Sequence, residues 1–291
     1  MTDQQPVSTG AWLQKWPAPA KLNLMLRVTG RRADGYHLLQ TVFQIIDLCD
    51  WLIFHPLAED SVRLQQPIPG VPESEDLTVR AAKLLKQHCG YQGDVCIELE
   101  KNLPMGGGLG GGSSDAATTL VVLNRLWDLG LSLTQLMELG LQLGADVPIF
   151  VYGHSAWGEG VGEKLQAITL PEPWLLIIKP DCHVNTKQIF SEEGLTRDSK
   201  SIKMTDFLEG DCKNDCTAVV VSLYPQVEKA LSALSKYADA RLTGTGACVF
   251  ALFESEDAAH VAYQALHTEW QVFLAKGLNE SPLYVKLQQE I

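Results

Sequence analysis

Positive charge is scarce in this chain of 291 residues: 23 lysines and arginines stand against 35 aspartates and glutamates, a formal net charge of −12. A surface for nucleic acid or for an anionic membrane needs clustered cations, so neither partner is expected. Long apolar runs are missing too. No stretch approaches the roughly 20 residues of a bilayer span, and the polar start from Met1 to Gly10 lacks the charged-then-apolar order of a signal peptide, which points to a cytoplasmic enzyme. The seven cysteines are irregularly spaced. Cys212 and Cys216 form the only close pair, with no second pair or nearby histidine to complete a zinc set. The thiols therefore read as free, in a reducing compartment, with Cys248 as core. No internal repeat is present, and no obligate protein partner is implied. With 46% hydrophobic and 20% charged residues, the composition is that of an ordinary globular enzyme long enough for two domains.

One segment departs from this background. Pro104, Met105, Gly106, Gly107, Gly108, Leu109, Gly110, Gly111, Gly112, Ser113 and Ser114 place six glycines within seven positions and follow them with two hydroxyls. Residues without a β-carbon let successive N–H groups converge on one point. A helix opening at the serines turns its positive end toward the same point, so the loop suits a phosphate. Alternation of Val95, Ile97 and Leu99 with Cys96, Glu98 and Glu100 predicts a half-buried strand over 94–100 feeding the loop. Downstream, Ala116, Ala117, Leu120, Leu123, Asn124 and Trp127 recur at helical spacing, with Gly130 placed to cap.

Other phosphate loops fit less well. A Walker loop needs a lysine after its glycines, and none lies between Lys101 and Lys164. A dinucleotide fingerprint is formally present at Gly106, Gly108 and Gly111, yet that fold demands a strand straight after its helix. Here Ser132-Leu133-Thr134-Gln135 is a capping box opening another helix, which Gly144 closes. A flexible linker would not sit between a patterned strand and a capped helix. The segment Pro171-Glu172-Pro173, before the apolar run 174–178, is the best boundary. It divides a unit over 1–170 that carries the phosphate loop from a smaller unit over 171–291 with a strand at 174–179, a helix at 224–234, a strand at 248–253 and a helix at 257–267.

Pro104, Gly108, Leu109, Ser113, Ser114 and Ala116 resemble the signature of the kinase superfamily that contains galactokinase, homoserine kinase, mevalonate kinase and phosphomevalonate kinase. Three further blocks, in order, are similar to its branch with a cytidine diphosphate-linked methylerythritol acceptor: Pro17 to Leu24 with Gly30 to Thr41, Leu143 to Phe150, and Leu242 to Phe250. The resemblance implies an α+β fold with an N-terminal ATP-binding domain containing a left-handed β-α-β crossover and a ferredoxin-like C-terminal domain. It also implies ATP with Mg2+, and transfer of the γ-phosphoryl group to the acceptor's 2-hydroxyl.

Roles follow position by position. Asp146 is the implied catalytic base, although an aspartate before Val147-Pro148 also reads as a cap. Lys21 is the implied cation beside it, stabilising charge on the phosphoryl group in flight, although a lysine in an apolar strand also reads as snorkelling to solvent. Residues 104–114 would hold the triphosphate, with Ser113 or Ser114 within reach of magnesium. Lys101 falls where a basic residue neighbours the nucleotide, and Asp76 where the family carries an adenine-pocket asparagine. A carboxylate cannot donate as an amide does, so purine contacts there would use the backbone or a water. For the acceptor, Tyr36 offers a stacking face, His37 a hydrogen-bonding edge, Phe190 closes the other face of the base, and Asn23 contacts the methylerythritol end or its phosphates. Thr243 and Gly244 supply support from the second domain. Locally, Tyr36 and His37 also read as hairpin and core residues, and Thr243 to Gly246 as a turn before a strand.

Overall fold

The computed structural model describes residues 12–33, 35–58 and 61–289. Asp34, within the implied acceptor segment, and the polar start Met1 to Gly10 lie outside them. The strands are β1 (Trp16–Arg31), β2 (His37–Leu57), β3 (Val62–Leu64), β4 (Asp94–Glu100), β5 (Ala156–Gly160), β6 (Lys164–Ala167), β7 (Trp174–Lys179), β8 (Ala240–Leu242), β9 (Val249–Phe253) and β10 (Gln271–Leu278). The helices are α1 (Leu77–Cys89), α2 (Gly111–Leu126), α3 (Leu133–Leu143), α4 (Val147–Tyr152), α5 (Thr186–Ser191), α6 (Met204–Leu208), α7 (Thr217–Leu223), α8 (Pro225–Leu234), α9 (Glu256–Leu266) and α10 (Pro282–Gln289).

β2 is the spine. It pairs antiparallel with β1, β4, β5 and β10, and the main ladder runs β3-β4-β2-β10-β7-β9-β8. β3 and β4 pair in parallel, so β3-α1-β4 forms the β-α-β crossover unit of the first half. In the second half, the order β10-β7-β9-β8 with antiparallel pairing throughout is that of a β-α-β-β-α-β ferredoxin-like sheet. The β1–β2 register slips between Pro19 and Lys21 and again between Asn23 and Met25. Such irregularities re-aim side chains, and here they bracket Lys21 and Asn23.

Three apolar clusters hold these layers. The first packs α1 to α4 on the sheet through Phe54, Ile97, Leu120, Val122 and Phe150, and the second packs α7 to α9 through Ile178, Val220, Val227 and Ala262. A third, with Leu22, Met25, Ile46, Ile177 and Phe250, fills the junction. Leu283 of α10 returns to the first cluster, while Leu26 and Val28 of β1 lie in the second. Side chains thus cross the 171–173 segment in both directions.

The patterned strands at 94–100 and 174–179 form as expected, as does the Ser132–Gln135 capping box, and Gly144 closes α3. Gly130 does not cap α2. The helix ends at Leu126 because the chain turns left-handed at Asp128, φ 51°, with Leu129 N–H donating to Asn124 O at 3.0 Å, and the Asn124 side chain then braces Leu131 through its N–H and C=O, both at 3.0 Å. α8 begins at Pro225 rather than Tyr224, proline being suited to a first helical position. Cys248 is fully buried and all seven cysteines are free. Among the described residues no helix is long and apolar enough to cross a membrane.

Candidate active site

The glycine loop is shaped by what presses on it. Gly106, Gly108 and Gly110 all adopt left-handed backbone, with φ of 66°, 77° and 78°. At Gly108 a β-carbon would lie 2.8 Å from the carbonyl oxygen of Thr243 and 2.9 Å from that of Gly246, so the second glycine turn excludes any side chain there. The two turns are laced together, with Cys248 N–H donating to Gly107 O at 3.0 Å. Ser114 N–H donates to Gly110 O at 2.8 Å, starting α2 directly behind the loop. In front lies a cavity of about 390 Å³ walled by residues 104–113, Asp76, Lys101, Asp115 and Asp146.

Lys21 rises from β1 beneath this loop. Its Nζ donates to Asn23 Oδ1 at 2.7 Å and to Gly108 O at 3.0 Å, lies 3.3 Å from Asp146 Oδ2, and sits 5.7 Å above the Phe43 ring. Its side chain is 3% exposed, so the snorkelling alternative is excluded. Asn23 in turn donates from its side-chain amide to Thr41 Oγ1 and from its backbone N–H to Thr243 Oγ1, both at 2.9 Å. Asp146 occupies the position before α4 but its side chain makes no capping hydrogen bond there. Its carboxylate faces Lys21 instead. Gly244, with φ of 56°, passes close enough that a β-carbon would lie 3.2 Å from Asn23 Oδ1.

Three of the implied nucleotide residues have more constrained roles than sequence suggests. Lys101 is not an unattached cation, because its Nζ pairs with Asp50 and with Asp115 Oδ2 at 2.8 Å. Asp50 Oδ1 also accepts from the N–H groups of Asn102 and Leu103 at 2.6 and 2.7 Å, fixing the strand-to-loop corner. Burial, and after it the charge of Asp50 against the opposing pull of Lys101, pushes Asp115 up to about 8. Asp76 caps α1, Oδ1 accepting from the N–H groups of Thr78 and Val79 at 2.9 and 3.0 Å. Of the two serines, Ser113 lines the cavity, whereas the Ser114 hydroxyl is buried without a partner.

Of the implied acceptor residues, Tyr36, His37 and Phe190 share a separate groove, whereas Asn23, Thr243 and Gly244 lie together beside Lys21. Arg31, Tyr36, His37, Ala145, Thr186, Lys187 and Phe190 line a groove of about 500 Å³. Tyr36 is 61% exposed and His37 is buried, its ring stacked on Phe190 with centroids 5.0 Å apart and 22° between planes. Phe190 thus backs His37 directly. A further hollow shares Gly106 and Gly108 with the cavity before the glycine loop, and Thr186 and Lys187 with this groove. Ala145 lines one end of that path and Asp146 the other.

Sequence reasoning missed Thr41, Asp50, Asp115, Lys187 and Arg197. Asp115 had a signal, an acid on the inward face of an alanine-rich helix. Arg197 had none. Its Nε–H donates to His37 Nε2 at 3.2 Å, and its other N–H groups donate to carbonyls of Phe190, Glu192 and Leu195.

A glycine-walled cavity with an acid paired to a buried amine at its side, and a second cleft beyond, is the arrangement a small-molecule phosphotransferase requires. The domain patterns agree: residues 76–154 match the GHMP kinases N terminal domain and residues 199–272 the GHMP kinases C terminal domain. Over 274 residues the chain is 58% identical to the 4-diphosphocytidyl-2-C-methyl-D-erythritol kinase of Methylococcus capsulatus, covering 94% of each chain. It is 54% identical to that of Nitrosococcus oceani over 92% of this chain and 96% of the relative. A crystal structure of 4-(cytidine 5'-diphospho)-2C-methyl-D-erythritol kinase superposes with a TM-score of 0.80 at 32% identity, over 91% of this chain and 99% of that one. A mevalonate kinase at 16% identity shares the fold with a TM-score of 0.67. The chain belongs to the 4-diphosphocytidyl-2-C-methyl-D-erythritol kinase family.

Proposed function

We infer that Asp146 and Lys21 are the reacting pair of this kinase. The chain transfers the γ-phosphoryl group of ATP to the 2-hydroxyl of 4-diphosphocytidyl-2-C-methyl-D-erythritol, giving the 2-phosphate and ADP, a step toward isoprenoid precursors outside the mevalonate route. What supports this assignment of roles is the 3.3 Å pairing of Lys21 with Asp146, whose carboxylate belongs to the wall of the cavity before the glycine loop while its neighbour Ala145 lines the groove of Tyr36, His37 and Phe190.

In this reading the acceptor oxygen attacks the γ-phosphorus while the bond to the β,γ-bridging oxygen breaks, and the hydroxyl proton passes to the Asp146 carboxylate. Lys21, already turned toward the loop by Gly108 O and Asn23, opposes the negative charge that builds on the moving group. The N–H groups of residues 106–112 and the start of α2 hold the phosphates. Asp76 keeps α1 in place beside the purine, and the Lys101–Asp50–Asp115 cluster fixes the loop from below. Tyr36, with His37 and Phe190, receives the cytosine. Thr243 and Gly244 keep Asn23 at the acceptor's phosphate end.

Magnesium fits as a companion of ATP. Ser113 lies in the cavity wall before the glycine loop, where its hydroxyl would hold the ion together with phosphate oxygens and waters, and the ion would supply charge neutralisation. Free thiols throughout support a reducing, cytoplasmic setting. The test is a steady-state assay with ATP and the cytidyl acceptor. Asp146→Asn should lower kcat by about 10²- to 10⁴-fold, the worth of a positioned base, and Lys21→Ala should also lower it by orders of magnitude. Unchanged turnover in either variant removes that residue from the mechanism.

A further inference from the structure

We propose that Arg197 is a positioning residue that sets the hydrogen-bonding polarity of the acceptor groove, holding His37 as the neutral Nδ1–H tautomer and fixing its stacking partner Phe190 with the same guanidinium. This rests on the reading of that groove as the seat of the acceptor's base.

The argument begins with what arginine cannot do. A guanidinium has five N–H donors, no acceptor, and does not lose its proton in proteins. Its Nε–H points at His37 Nε2 from 3.2 Å, so that nitrogen must present its lone pair. In a neutral imidazole the hydrogen then resides on Nδ1. The two Nη2 hydrogens are taken by Phe190 O at 2.9 Å and Glu192 O at 2.7 Å, and Nη1 donates to Leu195 O at 3.3 Å. Glu192 terminates α5, so the arginine satisfies carbonyls that a helix end leaves without partners. One side chain thereby fixes the end of the helix that carries Phe190, and it fixes the ring on which Phe190 stacks.

A protonated His37 would turn a second N–H toward the Arg197 Nε–H, placing two cations in contact. The charged groups facing the ring are Arg197 and Arg31, and burial, followed by these two, lowers the His37 pKa below its ordinary 6.5. The neutral ring therefore persists at neutral pH, with Nδ1–H as its only donor. Such a donor suits a pyrimidine edge made of acceptors, as the O2 and N3 atoms of cytosine provide. Uracil instead presents an N3–H, and donor would meet donor. Arg197 thus acts on base choice without itself touching the base.

The experiment is nitrogen-15 NMR of the His37 ring in the free, full-length enzyme near neutral pH, assigned by its loss in His37→Asn. It is paired with kinetics of Arg197→Met, Arg197→Gln, Tyr36→Ala and His37→Ala. The wild type should show protonated Nδ1 and bare Nε2. Arg197→Met should mix the tautomers and raise the acceptor KM by about tenfold, the worth of one hydrogen bond, with the KM for ATP and kcat near wild type. It should also narrow the preference over a uridine-bearing acceptor. Arg197→Gln, whose amide still has an N–H to offer His37, should recover the tautomer. Protonated Nε2 in the wild type overturns the proposal even if no Arg197 variant folds. A raised acceptor KM in Tyr36→Ala and His37→Ala, but not in Arg197→Met, overturns this proposal alone. No change in Tyr36→Ala and His37→Ala overturns the groove assignment and this proposal with it.

Discussion

Lys21 and Asp146 form an ion pair of unequal partners: the lysine side chain is 3% exposed and the aspartate 42%, at a separation of 3.3 Å. The amine is anchored by Asn23 and Gly108 as well as by Asp146, whereas the carboxylate makes no cap and faces the cavity. Both substitutions should abolish most turnover, yet they should separate in stability. Asp146→Asn should unfold within about 0.5 kcal/mol of wild type. Lys21→Ala leaves buried acceptors unmatched and should lose about 1–3 kcal/mol. Denaturant melts beside the kinetic assay check this, and equal losses would contradict it.

The glycines of the loop should not be equivalent. Gly108 combines left-handed backbone with carbonyl oxygens under 3 Å from any β-carbon, so Gly108→Ala should cost at least about 1–2 kcal/mol and disconnect the two turns. At Gly112 the nearest atom to such a carbon is Leu77 Cδ1 at 3.8 Å, an ordinary contact. Gly112→Ala should keep its stability within about 0.5 kcal/mol. Thermal melts of the two variants side by side decide the matter.

Asp115 predicts an alkaline effect. Its ordinary value of 3.8 is raised to about 8, chiefly by burial. Between those limits the unfolded chain ionises and the folded one does not, so the group's contribution to stability is greatest below about 4 and is lost as pH rises toward 8. Asn cannot ionise. The stability of Asp115→Asn relative to wild type should therefore climb from pH 4 to pH 8 and level off above, as melts across that range would show. A difference independent of pH would rule the buried acid out.

For His37 the direction is opposite. Its pKa lies below 6.5 through burial, then Arg197, then Arg31, so the neutral ring is intact above that value and is lost only as pH falls further. The KM for the cytidyl acceptor should stay flat from mildly alkaline pH down to 6.5 and rise below it, with His37→Ala flat throughout. A rise already centred at 6.5 or above in the wild type would contradict the shift.

Elements governed by neighbouring residues were legible in the sequence. The alternation at 94–100, the apolar run at 174–179 and the Ser132–Gln135 box each carry their own signal. Asp76 was legible in kind but not in use, since an aspartate before Leu77 is a local cap, and family position drew attention to the nucleotide instead. Asp146 shows the reverse. Its local context suggested a cap, and only the distant Lys21 reveals where the carboxylate is aimed. Lys101 and Arg197 take their meaning from Asp50, Asp115 and His37, partners brought by other elements. No periodicity encodes such meetings. The long reach of β2, which borders four other strands, was equally hidden because each pairing is set by a different partner.

β10 ladders to β2 at Gly277 and Leu278 and to β7 along 271–276, so one hydrogen-bonded surface underlies both lobes. Swinging them apart like the covers of a book would tear that shared spine. Any rearrangement around the glycine loop must therefore leave that ladder whole, with the two halves moving as one piece.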